Sequence, residues 1–367
     1  MVDFTKHVKA VVQNILVKKE LNALVVMGAS NIHYLTGTDA PSAAIVYLDS
    51  NVKTLSSRLE YTRTLDESCL GEHYVYTKSE DTSDYENIIR GDFFNALKEL
   101  VSNAPEGKLG IAGVSGDNRR KLEEKIGYSG IEATSEFLTL RRAKNPSELE
   151  AIKKAVNVAE EAMKRALNIL EKGITESEVA AEILSFILRS GAQQSFQPIV
   201  AFGEHAAHPH AKPGLRRLER GNLVKIDLGA RIEGYCSDLT RTVVFDRKND
   251  LYKTLLAVVN EAQEHAISLM KPGVPARAVH MAAYDILKKK DLAKFFNHGL
   301  GHGVGIDVHE EPYLSAESEN KLSPGDVVTV EPGVYIYRTG GVRIEDMVFI
   351  GEDSPLILTK FPKLIDV

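Results

Sequence analysis

The order of apolar and polar positions divides the chain into two stretches of different texture. From Leu21 to about Glu132, short apolar runs alternate with helical ones: ALVVMG (23–28), AAIVYLD (43–49) and LGIAGV (109–114) read as strands, and 85–102 as a helix. This alternation predicts a small α/β domain over 1–132. Its leading segment, MVDFTKHVKAVVQNILVKKELNAL, interrupts its apolar positions with Asp3, Lys6, Lys9, Lys18, Lys19 and Glu20. It therefore reads as an amphipathic surface helix and not as a signal peptide. No run approaches the roughly 18 apolar residues that a bilayer span requires, so a soluble, cytoplasmic protein is expected.

Residues 133–145 read as a linker, and 146–367 as a second domain. It opens with a helix that starts at Pro146 and ends at Gly173, with Ile152, Ala155, Val156, Ala159, Ala162 and Met163 on one core-facing stripe. An internal repeat follows. EKGITESEVAAEILSFIL (171–188) and KPGVPARAVHMAAYDILK (271–288) each end one helix at a glycine and start another, with Val179/Val279 and Ile183/Ala283 one hundred residues apart. Each pair leads into β-rich text, 198–246 and 326–359. Two helix-pair-plus-strands units predict a pseudo-twofold α+β domain with a site between its halves.

Composition narrows the functional classes. With 45 basic and 51 acidic residues the formal charge is −6, which gives no reason to expect a nucleic-acid partner. Cys69 and Cys236 are too few for a disulfide framework and fit a reducing compartment. Six of the eleven histidines (His205, His208, His210, His298, His302 and His309) crowd into 205–210 and 298–309, which invites a site.

The acids stand out by position. In NLVKIDLGARIEGYCSDLTRTVVF (222–245), a hairpin about Glu233-Gly234 places Asp227 in one strand-like run and Asp238 in the other. Aspartate is disfavoured inside strands, and a buried carboxylate must be paired, protonated or metal-bound. Pairing with Lys225, Arg241 or backbone donors would satisfy this segment taken alone. The oddity recurs at Glu331, before Pro332-Gly333, and at Glu345, where alternation groups Arg343, Glu345 and Met347 on one face. Four acids converging on one interior would repel prohibitively without cations, so metal binding is the economical explanation. HGLGHGVGIDVHEEP (298–312) adds His298, His302 and His309 among glycines that suit strand or loop and let backbone approach a crowded centre.

These residues resemble the metallopeptidase family with the pita-bread fold, which includes prolidase, Xaa-Pro aminopeptidase and methionine aminopeptidase, with creatinase a metal-free relative. The family's ligand order Asp, Asp, His, Glu, Glu falls here on Asp227 (IDLGA), Asp238 (SDLTRT), His302 (GHGVG), Glu331 (VEPGVY) and Glu345 (RIED), across about 146–367. NIHYLTG (31–37) is similar, more loosely, to the creatinase/prolidase N-terminal domain. By motif position, His210 in HPHA and His309 in VHEEP match the family's substrate-side histidines. His298 and Arg343 match residues that line the pocket and support the metal carboxylates; Arg343 is expected to orient Glu345 or Glu331. His205 and His208 have no counterpart and read as loop histidines. Cys236 reads as a small packed residue. His33 reads as packed within its own domain, with the rim of a partner's site as the alternative that a dimer would allow.

The resemblance implies two divalent ions per subunit about 3.5–4 Å apart, bridged by Asp227 and Glu345, with Asp238 on one ion and His302 and Glu331 on the other. A donor set of mostly hard oxygen suits Mn²⁺, Co²⁺ or Fe²⁺ at least as well as Zn²⁺. It further implies that a metal-bridging hydroxide attacks the carbonyl before proline, that Glu331 carries the proton to the leaving nitrogen, and that His210 and His309 donate hydrogen bonds to substrate. The expected activity is that of an Xaa-Pro dipeptidase, in a cytoplasmic homodimer. One departure favours the alternative of an Xaa-Pro aminopeptidase: where some prolidases carry an arginine for the dipeptide carboxylate, four positions after the second histidine, this chain has Tyr313. A non-catalytic binding module and a creatinase-like hydrolase are further alternatives, both disfavoured by the complete ligand set.

Overall fold

A computed structural model of the chain describes residues 1–102, 108–246 and 249–365. The chain divides into two compact units, Met1–Arg141 and Arg142–Val367. In the first, seven strands form one sheet in the order Ile88–Arg90, Glu72–Thr77, Val52–Ser57, Ala43–Tyr47, Leu21–Val26, Lys108–Ala112 and Gly130–Glu132. Ala43–Tyr47 runs antiparallel to both neighbours and the other pairings are parallel. Both faces of the Leu21–Val26 strand are covered, which is why its apolar run is nearly continuous.

Two expectations change in this unit. The stretch 85–102 is not one helix: Ile88–Arg90 is an edge strand, Gly91 adopts a φ of 137°, and the helix starts only at Phe93. Two apolar pairs, Ile88-Ile89 and Phe93-Phe94, fit either periodicity; the glycine ends the strand and Asp92 Oδ1 accepts the Asn95 N–H at 3.0 Å. Within 133–145, expected as a linker, lies the helix Thr134–Arg142, which buries Phe137 edge-on against Tyr34 at 5.6 Å.

The second unit holds the two expected helix pairs, Pro146–Asn168 with Glu176–Arg189 and Asp250–Ser268 with Ala276–Lys289. Their turns match one hundred residues apart. Gly173 N–H bonds Leu218 O and Gly273 N–H bonds Leu322 O, each at 2.8 Å. The glycines have φ of 94° and 85°, conformations that disfavour a side chain. Val179, Val279, Ile183 and Ala283 are all fully buried. The unit has two apolar clusters, one built around Met163, Ile183, Val200 and Ile226, the other around Val259, Val279, Val330 and Ile344 and reaching into the first half through Ala201, Ala206, Ala211 and Leu223. Burial of one such large aliphatic side chain contributes ~1.5–3 kcal/mol.

Four antiparallel groups of strands complete the unit: Leu239–Val244, Leu223–Leu228 and Ile199–Phe202; Tyr235–Cys236, Ala230–Ile232 and Gln193–Gln194; a five-stranded sheet in the order Glu310–Leu314, Gly301–Gly303, Val327–Val330, Asp346–Ile350 and Pro355–Ile357; and the ribbon Gly333–Ile336 with Gly340–Arg343. The turn expected at Glu233-Gly234 is present, with φ of 50° and 83°. No helix among the described residues is long and apolar enough to cross a membrane.

Candidate metal centre

Asp227 is placed by an unbroken ladder, opposite Thr240 on one neighbour and Ile199 on the other. Strand alternation sends Lys225 and Asp227 from the same face, and both are buried. They do not pair. Lys225 Nζ donates to the carbonyls of Ala206 (3.0 Å) and His208 (2.6 Å) and lies over the Tyr335 ring; burial, then the charge of Arg343, pushes its pKa well down. Arg241 is likewise committed elsewhere, to Asp346 at 2.8 Å. Asp227 Oδ2 accepts from Arg343, and its Oδ1 is buried with no hydrogen-bond partner among the described residues.

The other three acids occupy interruptions between strands. Asp238 lies between Tyr235–Cys236 and Leu239–Val244, Glu331 follows Val327–Val330, and Glu345 separates Gly340–Arg343 from Asp346–Ile350. An interruption releases the residue from the ladder and lets an acid turn inward, which a regular strand disfavours. Their backbones stay anchored: Glu331 N–H donates to Leu300 O (2.8 Å) and Glu345 N–H to Thr240 O (3.2 Å). Met347 faces the same interior, with its Sδ 3.2 Å from the Asp238 nitrogen.

His302 sits in the short strand Gly301–Gly303. A Cβ on Gly301 would lie 2.1 Å from Thr329 O, and one on Gly303 2.3 Å from Glu311 O, so the flanking positions admit only glycine. His302 Nδ1 is 3.1 Å from Gly303 O, and Nε2 is 3.2 Å from Glu331 Oε1 and 3.7 Å from Asp238 Oδ2. A proton on Nδ1, facing the carbonyl, leaves Nε2 as the ligand atom.

This donor set fits divalent cations. One donor atom each from Asp238, His302 and Glu345 lies within 4.8 Å of the others, and the free Oδ1 of Asp227 is available beside them. Burial, followed by the charges of neighbouring acids, pushes the carboxyls of Asp238 and Glu345 well above the ordinary range. The charge of Arg343 acts in the opposite direction on both. Glu331 differs: burial opposes ionisation, but the hydrogen bond and charge of His302, then Arg343, hold it down at about 2. Burial would lower His302, yet Glu331 raises it above the ordinary imidazole range.

All five residues line one cavity of about 320 Å³, at the small end of the ~300–1,000 Å³ of ligand sites. His210 and His309 border it from exposed positions, the His309 ring 4.1 Å from that of His302. His298 reaches Tyr335 Oη with Nε2 at 3.0 Å, and burial lowers its pKa. Arg343, expected to orient Glu345 or Glu331, has its Nε 3.9 Å from Glu331 Oε2 and also bonds Asp227. It also donates to Thr240 Oγ1 (3.0 Å), Tyr335 Oη (2.9 Å) and Pro209 O (3.2 Å).

Sequence reasoning passed over Tyr335, Thr240 and the apolar wall of Phe196 and Ile199. Tyr335 had a signal: it follows Glu331 on the strand that leaves the motif. His205 is no idle loop residue, since its Nδ1 lies 2.8 Å from Glu176 Oε1. Cys236 is packed as expected, and burial raises its thiol to about 12.

Residues 150–352 match the model of metallopeptidase family M24, and residues 10–143 that of the creatinase/prolidase N-terminal domain. An Xaa-Pro dipeptidase of Pyrococcus furiosus is 34% identical over 90% of this chain and 91% of its own length. The structure of an Xaa-Pro dipeptidase from Bacillus anthracis superposes with a TM-score of 0.86, 26% identity and full coverage of both chains. That of an X-Pro aminopeptidase from Thermotoga maritima gives a TM-score of 0.82 and 30% identity over 94% of this chain and 97% of that one.

Proposed function

Because the chain belongs to metallopeptidase family M24, we propose that it hydrolyses the peptide bond preceding proline in Xaa-Pro dipeptides, with two divalent ions held by Asp227, Asp238, His302, Glu331 and Glu345. The observation that carries this reading is the convergence of four carboxylates and one imidazole on a single small cavity. Donors that are mostly oxygen suit Mn²⁺ or Co²⁺, with Fe²⁺ and Zn²⁺ less favoured. When bound, such ions polarise a carbonyl and make a water nucleophilic near neutral pH. Two free thiols, Cys69 and Cys236, fit a reducing cytoplasm, and a homodimer is carried over from the resemblance.

The chain's own residues supply the rest. Glu331, with the Arg343 guanidinium 3.9 Å away, would take a proton at Oε1 or Oε2 and return it to the leaving imino nitrogen. His210 and His309, at the cavity border, would donate to the substrate carbonyl as charge develops on it. Phe196 and Ile199 offer an apolar wall to the substrate. Arg343 holds Asp227 and, through Tyr335, His298.

A second reading, an Xaa-Pro aminopeptidase acting on longer peptides, is favoured by one observation. Among the described residues lining the cavity, Arg343 is the sole lysine or arginine and is committed to Asp227, while the half-exposed Tyr313 supplies no charge for a dipeptide's free carboxylate. Hydrolysis of Met-Pro against an Xaa-Pro-Xaa tripeptide, with Mn²⁺ or Co²⁺ present, decides between them. Cleavage confined to the dipeptide supports the first reading, efficient tripeptide cleavage the second, and no cleavage of either by metal-loaded protein rejects both.

A further inference from the structure

Gln263 lies in the helix Asp250–Ser268, is fully buried and lines none of the cavity described above. Its Nε2 donates to Val330 O at 2.9 Å and to Ile344 O at 3.3 Å. Those carbonyls belong to the residues immediately before Glu331 and Glu345. The amide nitrogen has two protons and here meets two acceptors; the reverse orientation would set Oε1 against both carbonyls.

The contrast with the first half gives this arrangement its meaning. Asp227 is held by ladder partners on both sides, so its peptide cannot rotate without breaking the sheet. Glu331 and Glu345 stand at strand interruptions: Val330 is the last residue of its strand, opposite Asp346, and Ile344 lies between two strands, and the carbonyl of each meets Gln263 in the interior. Rotation of the 330–331 or 344–345 peptide would swing the side chain that follows it. The N–H of each peptide is already bonded, to Leu300 O and to Thr240 O; Gln263 holds the carbonyl of both and ties the two backbones to each other.

We propose that Gln263 is a positioning residue for the metal centre, bracing the peptides that present Glu331 and Glu345 so that both carboxylates reach the ions together. This rests on the reading that those two glutamates are ligands. Partners behind the ligands of a metal site are typically worth about 10–100-fold in metal affinity.

The test is Mn²⁺ affinity by chelator competition on the metal-stripped full chain, wild type beside Gln263→Met, with thermal unfolding of both metal-free proteins. Methionine keeps the volume and removes the donor. The expected result is a folded variant that binds Mn²⁺ about 10–100-fold more weakly. Wild-type affinity in the folded variant would overturn the proposal, whatever happens to its melting temperature, because the bonds would then serve packing alone. If Gln263→Met does not fold, Gln263→Asn, one methylene too short to reach both carbonyls, is read in the same way. Failure of both to fold would also overturn the proposal. A wild-type protein that takes up no Mn²⁺ would instead contradict the ligand assignment on which it rests.

Discussion

Glu345 is buried, with Thr240 Oγ1 2.7 Å from its Oε2, and its neighbours include the acids Asp227, Asp238 and Glu331. Glu345→Gln keeps the acceptor for Thr240 and removes the charge. We expect it to raise the melting temperature of the metal-free protein at pH 7.5 by a few degrees, the shift that ~1 kcal/mol gives a unit of about 200 residues. The pH dependence follows from the same groups. A carboxyl raised by folding binds its proton more tightly when folded, so Asp238 and Glu345 add stability as pH falls from neutral toward ~4.3 and lose it as pH rises. Glu331 acts oppositely: its contribution is present above ~4.3 and is lost as pH falls through about 2. His302, raised, contributes below ~6.5 and loses that contribution at higher pH. The metal-free wild type should therefore melt higher at about pH 5.5 than at 7.5, with a smaller difference in Glu345→Gln; equal slopes would contradict this balance. Residue types and motifs made the five candidate ligands legible in the sequence. The partners of Lys225 and Arg343 were not legible: alternation gives the face a side chain leaves from, and says nothing about the Ala206 and His208 carbonyls or the acid that folding brings across it.

Among the elements, the two helix pairs differ at one end. Thr175 Oγ1 accepts from Glu178 N–H at 3.2 Å and Glu178 Oε2 accepts from Thr175 N–H at 2.8 Å, a reciprocal cap; Pro275, its counterpart, makes no side-chain cap. Thr175→Ala should cost ~1 kcal/mol in urea unfolding and leave turnover on Met-Pro unchanged, since Thr175 is remote from the cavity lining. A turnover loss at full stability would show that this helix end sets the site. Elements with strong punctuation were readable beforehand, as with Pro146, Gly173 and Gly273. The interruption at Glu331 carries its own stop signal in Pro332-Gly333, whereas those at Asp238 and Glu345 were less readable, because CSDLT and VRIEDMV hold no glycine or proline at the break. What interrupts the strands is the inward turn of the acids, a tertiary event.

At the scale of the whole second unit, the half before residue 246 contributes Asp227 and Asp238, and the half after 249 contributes His302, Glu331 and Glu345. One apolar cluster lies within the first half and the other joins the second half to Ala201, Ala206, Ala211 and Leu223 of the first, so both groups of residues stand on packed elements. The repeat in the sequence pointed to a site between halves, and residues of both halves line the cavity proposed as that site. The central claim is that these five residues make a hydrolase that depends on divalent metal. Its most direct test is the initial rate of Met-Pro hydrolysis by the metal-stripped full chain as Mn²⁺ is added back. The account predicts no turnover without metal and a saturable return with it; a rate indifferent to stripping, or none at any Mn²⁺ concentration, would contradict it.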